Sequence, residues 1–144
     1  YYMAELDTSI HSVKRITWDE FVLTVRCLPI AYRTEVAEDI DENPLYNNGS
    51  YPATGMLKIT MEADSPNLKI TLQNTGEYLY LEDELKAGDV ILINLENEHI
   101  TKNEISVMDK LYITSDFFVI PPGEYTITID PYNPAQLTYI ERWL

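Results

Sequence analysis

From Thr17 onward, hydrophobic and polar residues alternate with a period of two, the pattern of strands that bury one face. In "WDEFVLTVRC", Phe21, Leu23, Val25 and Cys27 share a face. "GMLKITMEAD" sets Leu57, Ile59 and Met61 against Lys58, Thr60 and Glu62, and "NLKITLQN" repeats the arrangement with Leu68, Ile70 and Leu72. The intervening "ADSPN" is made of turn formers, so these two segments are expected to pair as a hairpin. Further strands are expected in "EYLYLED", "GDVILINL", "EHIT", "EISVM", "DFFVI", "EYTITID" and "AQLTYIERWL", with hairpin turns at "ENEH" and "TKNE". The unbroken apolar run of "VILIN" suits a strand covered on both faces. About ten short strands at roughly ten-residue spacing predict an all-β, antiparallel β-sandwich.

One stretch breaks the pattern. "TEVAEDIDENPLYNNGSYPATG" is polar and acidic and carries Pro and Gly; it is expected to be a long loop, with one helical turn at "TEVAED". Its "DIDENPLYNNGS" places Asp39, Asp41 and Asn43 at the spacing of the first three ligands of an EF-hand loop. Such a loop needs Gly at its sixth position and Glu at its twelfth. Those positions hold Pro44 and Ser50, so a solvated acidic loop is the plainer reading.

Composition narrows the function classes. The chain has 144 residues, enough for one domain, and a net charge of −14 from 24 acidic and 10 basic residues. Nucleic acid and anionic membrane surfaces attract clustered Lys and Arg, so neither is an expected partner. No apolar run reaches the roughly 20 residues of a membrane helix. The single cysteine, Cys27, allows no disulfide within the chain and reads as a small buried hydrophobe. Glu82, Asp83, Glu84 and Asp89 are carboxylates of the type glycosidases use in pairs about 5–9.5 Å apart. They also lie where exposed charge protects strand ends and turns. His11 and His99 lack ligand-spaced partners, and no nucleophile elbow, P-loop or dinucleotide fingerprint is present. Tyr78 and Tyr80 share one face of a strand and suit a sugar-stacking platform, a second sandwich face or a protein interface. Tyr46 and Tyr51, in the long loop, suit a ligand or a subunit contact. No residue is assigned a catalytic, cofactor or metal role.

The order of segments carries a resemblance. Cys27-Leu28-Pro29 is followed by Asn48, Gly49 and Pro52, then by Asn74, Thr75, Gly76, Leu79 and Leu81. Leu85, Gly88, Asp89, Ile91, Ile93, Pro122 and Gly123 complete the set. Over roughly Ile16 to the C-terminus, this series resembles the distal tail protein (Dit) family of siphophages. The resemblance implies a galectin-like or carbohydrate-module-like jelly roll over 29–144. Residues 1–28 would be the end of an N-terminal ring domain or a connector, in keeping with the abrupt start at "YYMAEL". It implies a structural role in the tail tip or baseplate, with other tail proteins as partners and a homohexameric ring for the full-length protein. Production would be in the host bacterial cytoplasm. A carbohydrate-binding module for host wall glycans is the alternative. The galectin sugar-site cluster has no counterpart here, and Trp143 near the chain end reads as packing, so no binding residue is carried over.

Overall fold

The computed structural model describes the backbone of residues 2–6, 11–14, 19–22 and 25–144, and side chains from residue 31 onward except residue 34. The strands are β1 (Tyr2–Leu6), β2 (His11–Lys14), β3 (Asp19–Val22), β4 (Val25–Asp39), β5 (Leu45–Asn47), β6 (Gly55–Thr60) and β7 (Leu68–Leu72). They continue as β8 (Tyr78–Leu81), β9 (Val90–Asn94), β10 (His99–Lys102), β11 (Ile105–Ser106), β12 (Gly123–Tyr125), β13 (Ile127–Asp130) and β14 (Ala135–Trp143). A seven-stranded sheet runs β1-β4-β14-β6-β9-β10-β11, and a three-stranded sheet runs β13-β7-β8. The pairs β12-β5 and β2-β3 form smaller sheets, and every pairing is antiparallel. This is the expected antiparallel β-sandwich. Among the described residues, no helix is long and apolar enough to cross a membrane.

Register explains why the core forms where it does. Across the large sheet, Ile100 pairs with Ile93, Ile93 with Leu57, and Leu57 with Leu137. One inward row is therefore apolar over four strands. Leu68, Ile70, Leu72, Leu79 and Leu81 supply the facing surface from β7 and β8, each at most 1% exposed. Burying such side chains stabilises the sandwich by about 1.5–3 kcal/mol apiece. Phe118, Ile120 and Tyr125 belong to the same buried cluster.

Several expected elements differ. "GMLKITM" and "NLKITLQN" are not a hairpin: β6 pairs with β14 and β9, whereas β7 pairs with β13 and β8. "ADSPN" is thus a crossover between sheets. The alternation was right about faces, which is all that alternation encodes. The long loop and its helical turn are corrected as well. β4 continues as strand through Asp39, paired with β14, and a short 3₁₀ turn, Ile40–Glu42, follows it. The strand was masked because an inward position, opposite Leu137, is the charged Glu38. "DFFVI" contributes one bridge, Ala53 to Ile120, before Pro121 and Pro122. "EYTITID" divides at Thr126 between two sheets. β9 buries Ile91 and Ile93 but leaves Val90, Leu92 and Asn94 half-covered, so it is not enclosed on both faces. The run "WDEFVLTVRC" is divided between β3 and β4. The side chains of Phe21, Leu23, Val25, Cys27 and His11 lie outside the described residues.

β4 changes partner partway along. Ala31 is in register with Tyr2 of β1 and with Trp143 of β14, so the first half of the strand pairs with β1 and the second with β14.

Candidate functional site

Two carboxylates of the stretch after β8, Asp83 and Asp89, are engaged in the scaffold. Asp83 is ion-paired with Lys102 Nζ, which also donates to the Glu84 carbonyl at 3.2 Å. Asp89 accepts the Lys86 N–H and Asn103 Nδ2, both at 2.8 Å. The backbone N–H of Lys86, then the Asn103 amide, hold its carboxyl below the ordinary range. Asp64 is lowered in the same way by the Ala87 N–H and by Lys86. A glycosidase's general acid needs a raised carboxyl instead. Glu82, Glu84 and His99 are exposed.

The EF-hand-spaced residues turn to separate tasks. Asn43 grips one residue of β13: its Nδ2 donates to the Ile127 carbonyl at 2.8 Å, and its Oδ1 accepts the Ile127 N–H at 3.2 Å. Asp41 accepts the Tyr132 hydroxyl at 2.9 Å, raising that hydroxyl's pKa. A cleft of about 440 Å³ lies between these groups and Ile129. Asp39 lines an adjoining cleft with Lys58. The three oxygens therefore form no common ligand set. Among the described residues, no group of three or more His, Cys, Asp or Glu is placed to hold a metal.

Asn48 and Gly49 serve a clamp on β14. The Asn48 N–H and Nδ2 both donate to Glu141 Oε1, at 3.2 and 2.8 Å, and Arg33 Nη1 stands 3.5 Å from Oε2. Glu141 is only 2% exposed. The alternation of "AQLTYIERW" does put Glu141 in phase with Ala135, Leu137 and Tyr139, a signal that could have marked it as inward. A second inward carboxylate, Glu38, accepts the Tyr125 hydroxyl at 2.5 Å. Burial first, then Glu38, pushes the Tyr125 hydroxyl far above its usual value; burial pushes Tyr139 up to about 12. Asn74 of "NTG" spans the break between β12 and β13, donating to the Glu124 carbonyl and accepting the Thr126 N–H, both at 3.0 Å. The motif residues of the chain are thus joints of the scaffold. Tyr46 and Tyr51 are exposed beside this clamp, and Trp143 lies 5.8 Å beneath the Arg33 guanidinium.

The outer face of β13-β7-β8 carries the two tyrosines of β8. Tyr78 and Tyr80 are half-buried there, with Leu79 and Leu81 pointing inward as expected. Lys69 sits 4.6 Å over the Tyr78 ring, and Tyr112 meets the Tyr80 ring edge-on at 5.8 Å. Tyr78 also shares a hydrogen bond of 2.6 Å with Thr114. Beside them Ile113 is 94% exposed. With Lys69 over Tyr78, this face is a mixed apolar and polar patch more than a bare stacking platform.

Comparison with known proteins gives this geometry a family. Residues 48–143 match the family described as "Siphovirus-type tail component, C-terminal domain". Among solved structures, the chain is similar to SPP1 Dit (gp 19.1), described as "a Paradigm of Hub Adsorption Apparatus in Gram-positive Infecting Phages". The TM-score is 0.78 at 18% identity, over 100% of this chain and 60% of that one. No curated protein matches. At that identity the structural likeness speaks for the fold, and the chain spans about 60% of that protein's length. The family match runs over more than half of the chain and includes the Asn48–Gly49 clamp, the "NTG" joint and the turn at Asp89: this chain belongs to the siphovirus-type tail components, a structural family of the phage tail.

Proposed function

We propose that this chain is an attachment module of a siphophage tail tip, holding receptor-binding or other baseplate proteins and performing no catalysis. The observation that carries this reading is the outer face of the small sheet. A nearly fully exposed Ile113 stands beside Tyr78, Tyr80 and Tyr112, and tyrosine is enriched in protein interfaces. In the whole protein, residues 1–28 would belong to a ring domain or its connector, with the sandwich over 29–144 projecting from a homohexameric ring. The partner change of β4 at Ala31 supports a joint near that place. Synthesis in the host cytoplasm precedes assembly.

Antibody labelling of phage particles, viewed by electron microscopy, tests the placement: label is expected at the tail tip, and label elsewhere sinks the reading. Co-purification with baseplate proteins tests the surface. Ile113→Asp combined with Tyr112→Ala is expected to weaken retention by roughly 30-fold, about 2 kcal/mol, if these are interface anchors.

A further inference from the structure

The two edges of the three-stranded sheet are finished differently. Beyond β8, residues 110–116 run alongside. Glu82 donates its N–H to the Lys110 carbonyl at 2.9 Å, Tyr112 to Tyr80 at 2.8 Å and Asp116 to Tyr78 at 2.9 Å. That edge is closed. At the other edge, the alternation of antiparallel bonds settles which groups of β13 point away from the sheet. Leu72 donates toward the β8 side, to Glu77, and Gln73 donates to Thr126. Leu72 is opposite Ile127 and Ile70 opposite Ile129, so Ile127 and Ile129 both turn their N–H and C=O away from β7. Asn43 takes both groups of Ile127. Among the described residues, nothing takes those of Ile129. Ile129 lines the 440 Å³ cleft together with Ile40, Asp41 and Tyr132, whose hydroxyl donates to Asp41.

An unpaired strand edge beside a cleft is a template for one more strand, and proteins normally blunt such edges. Here the Asn43 amide already occupies the place of one partner residue, and the next ladder position stands open. Charge selects the occupant. No Lys or Arg lines the cleft, Asp41 does, and Glu62 lies close enough to add to the rise in the Tyr132 hydroxyl's pKa. The chain as a whole carries a net charge of −14.

We propose that this cleft receives an extended basic segment of another protein, which adds to β13 by exchanging main-chain hydrogen bonds with Ile129. This is β-strand addition, in which backbone bonds supply affinity and side-chain pockets supply specificity. That the segment comes from another tail protein rests on the attachment reading above; the cleft chemistry does not.

The test is titration of this chain with a capped peptide of alternating lysine and valine, followed by amide exchange and NMR shifts. Binding is expected to weaken with salt and to slow exchange at Ile129 while leaving Ile127 as it was. The same peptide N-methylated on alternate nitrogens should bind at least about tenfold more weakly, and Ile129→Pro, which removes the outward donor without removing a ladder bond to β7, should do the same. A peptide of alternating glutamate and valine should not bind. If Ile129→Pro impairs folding, the N-methylated peptide decides the matter on the wild-type chain. The proposal is overturned if the lysine peptide fails to bind, if N-methylation leaves its binding unchanged, or if the chain self-associates through this edge and Ile129→Pro abolishes it. Tail-tip labelling is independent: its failure with peptide binding intact removes the attachment reading alone, and the reverse removes the strand-addition site alone.

Discussion

A β-carbon on Gly49 would stand 2.5 Å from the Arg142 carbonyl oxygen and 3.0 Å from its nitrogen, both fixed backbone atoms of β14. Gly49→Ala is therefore expected to cost about 1–3 kcal/mol, read as a lower midpoint in urea with an unchanged slope. The glycine was visible in the sequence as part of a motif, but its reason was not, because the atoms it must avoid are more than ninety residues away. Glu141 was hidden differently. It looks like one of many surface acids, and only the in-phase Ala135, Leu137 and Tyr139 betray its inward position. The buried tyrosines make a pH prediction. Tyr125 and Tyr139 have hydroxyls raised in the folded state, Tyr139 to about 12 against an ordinary 10.0. Between those values the unfolded chain loses phenol protons that the folded chain keeps. Stability is thus intact below pH 10 and falls as pH rises toward and through 12. Denaturant midpoints should drop over that window, and Tyr139→Phe should flatten the drop. An unchanged slope in that variant would show that Tyr139 does not set it.

Strand positions were legible in the chain, but strand partners were not. Period two tells which side of a strand is buried and leaves open which neighbour it bonds to. Hence the alternation marks "MLKIT" and "LKITL" as strands, while the turn formers between them suggest a hairpin that the fold does not make. The second half of β4 failed for another reason: Glu38, opposite Leu137, replaces the apolar residue that would have continued the alternation. Turn chemistry was the more informative signal. "NTG", "GD" and "PPG" mark real joints, with Gly76, Gly88 and Gly123 at φ +80, +92 and +84. Asn74 extends its joint into a second sheet, holding Glu124 and Thr126 where the chain passes from β12 to β13. Asn74→Ala is expected to destabilise by about 1 kcal/mol and to speed amide exchange at Thr126 selectively. Uniformly faster exchange would mean that the joint is not local.

At the scale of the molecule, β14 lies inside the large sheet, between β4 and β6, and follows both in chain order. Synthesis therefore delivers the keystone after the stones it joins. Until residues 135–143 emerge from the ribosome, β4 and β6 each present an unpaired edge, and Leu57 and Ile59 have incomplete cover. A nascent sheet in that state is exposed to wrong pairing with other copies. A chain stopped at Pro134 should accumulate as aggregate, although it keeps most of the core side chains. The intact chain should refold in milliseconds to seconds, in the range of folds dominated by distant pairings, and microsecond refolding would contradict this order. A closing strand that follows the strands it joins makes the interval between translation and closure the vulnerable step, one that a chaperone or prompt assembly with a partner would shorten.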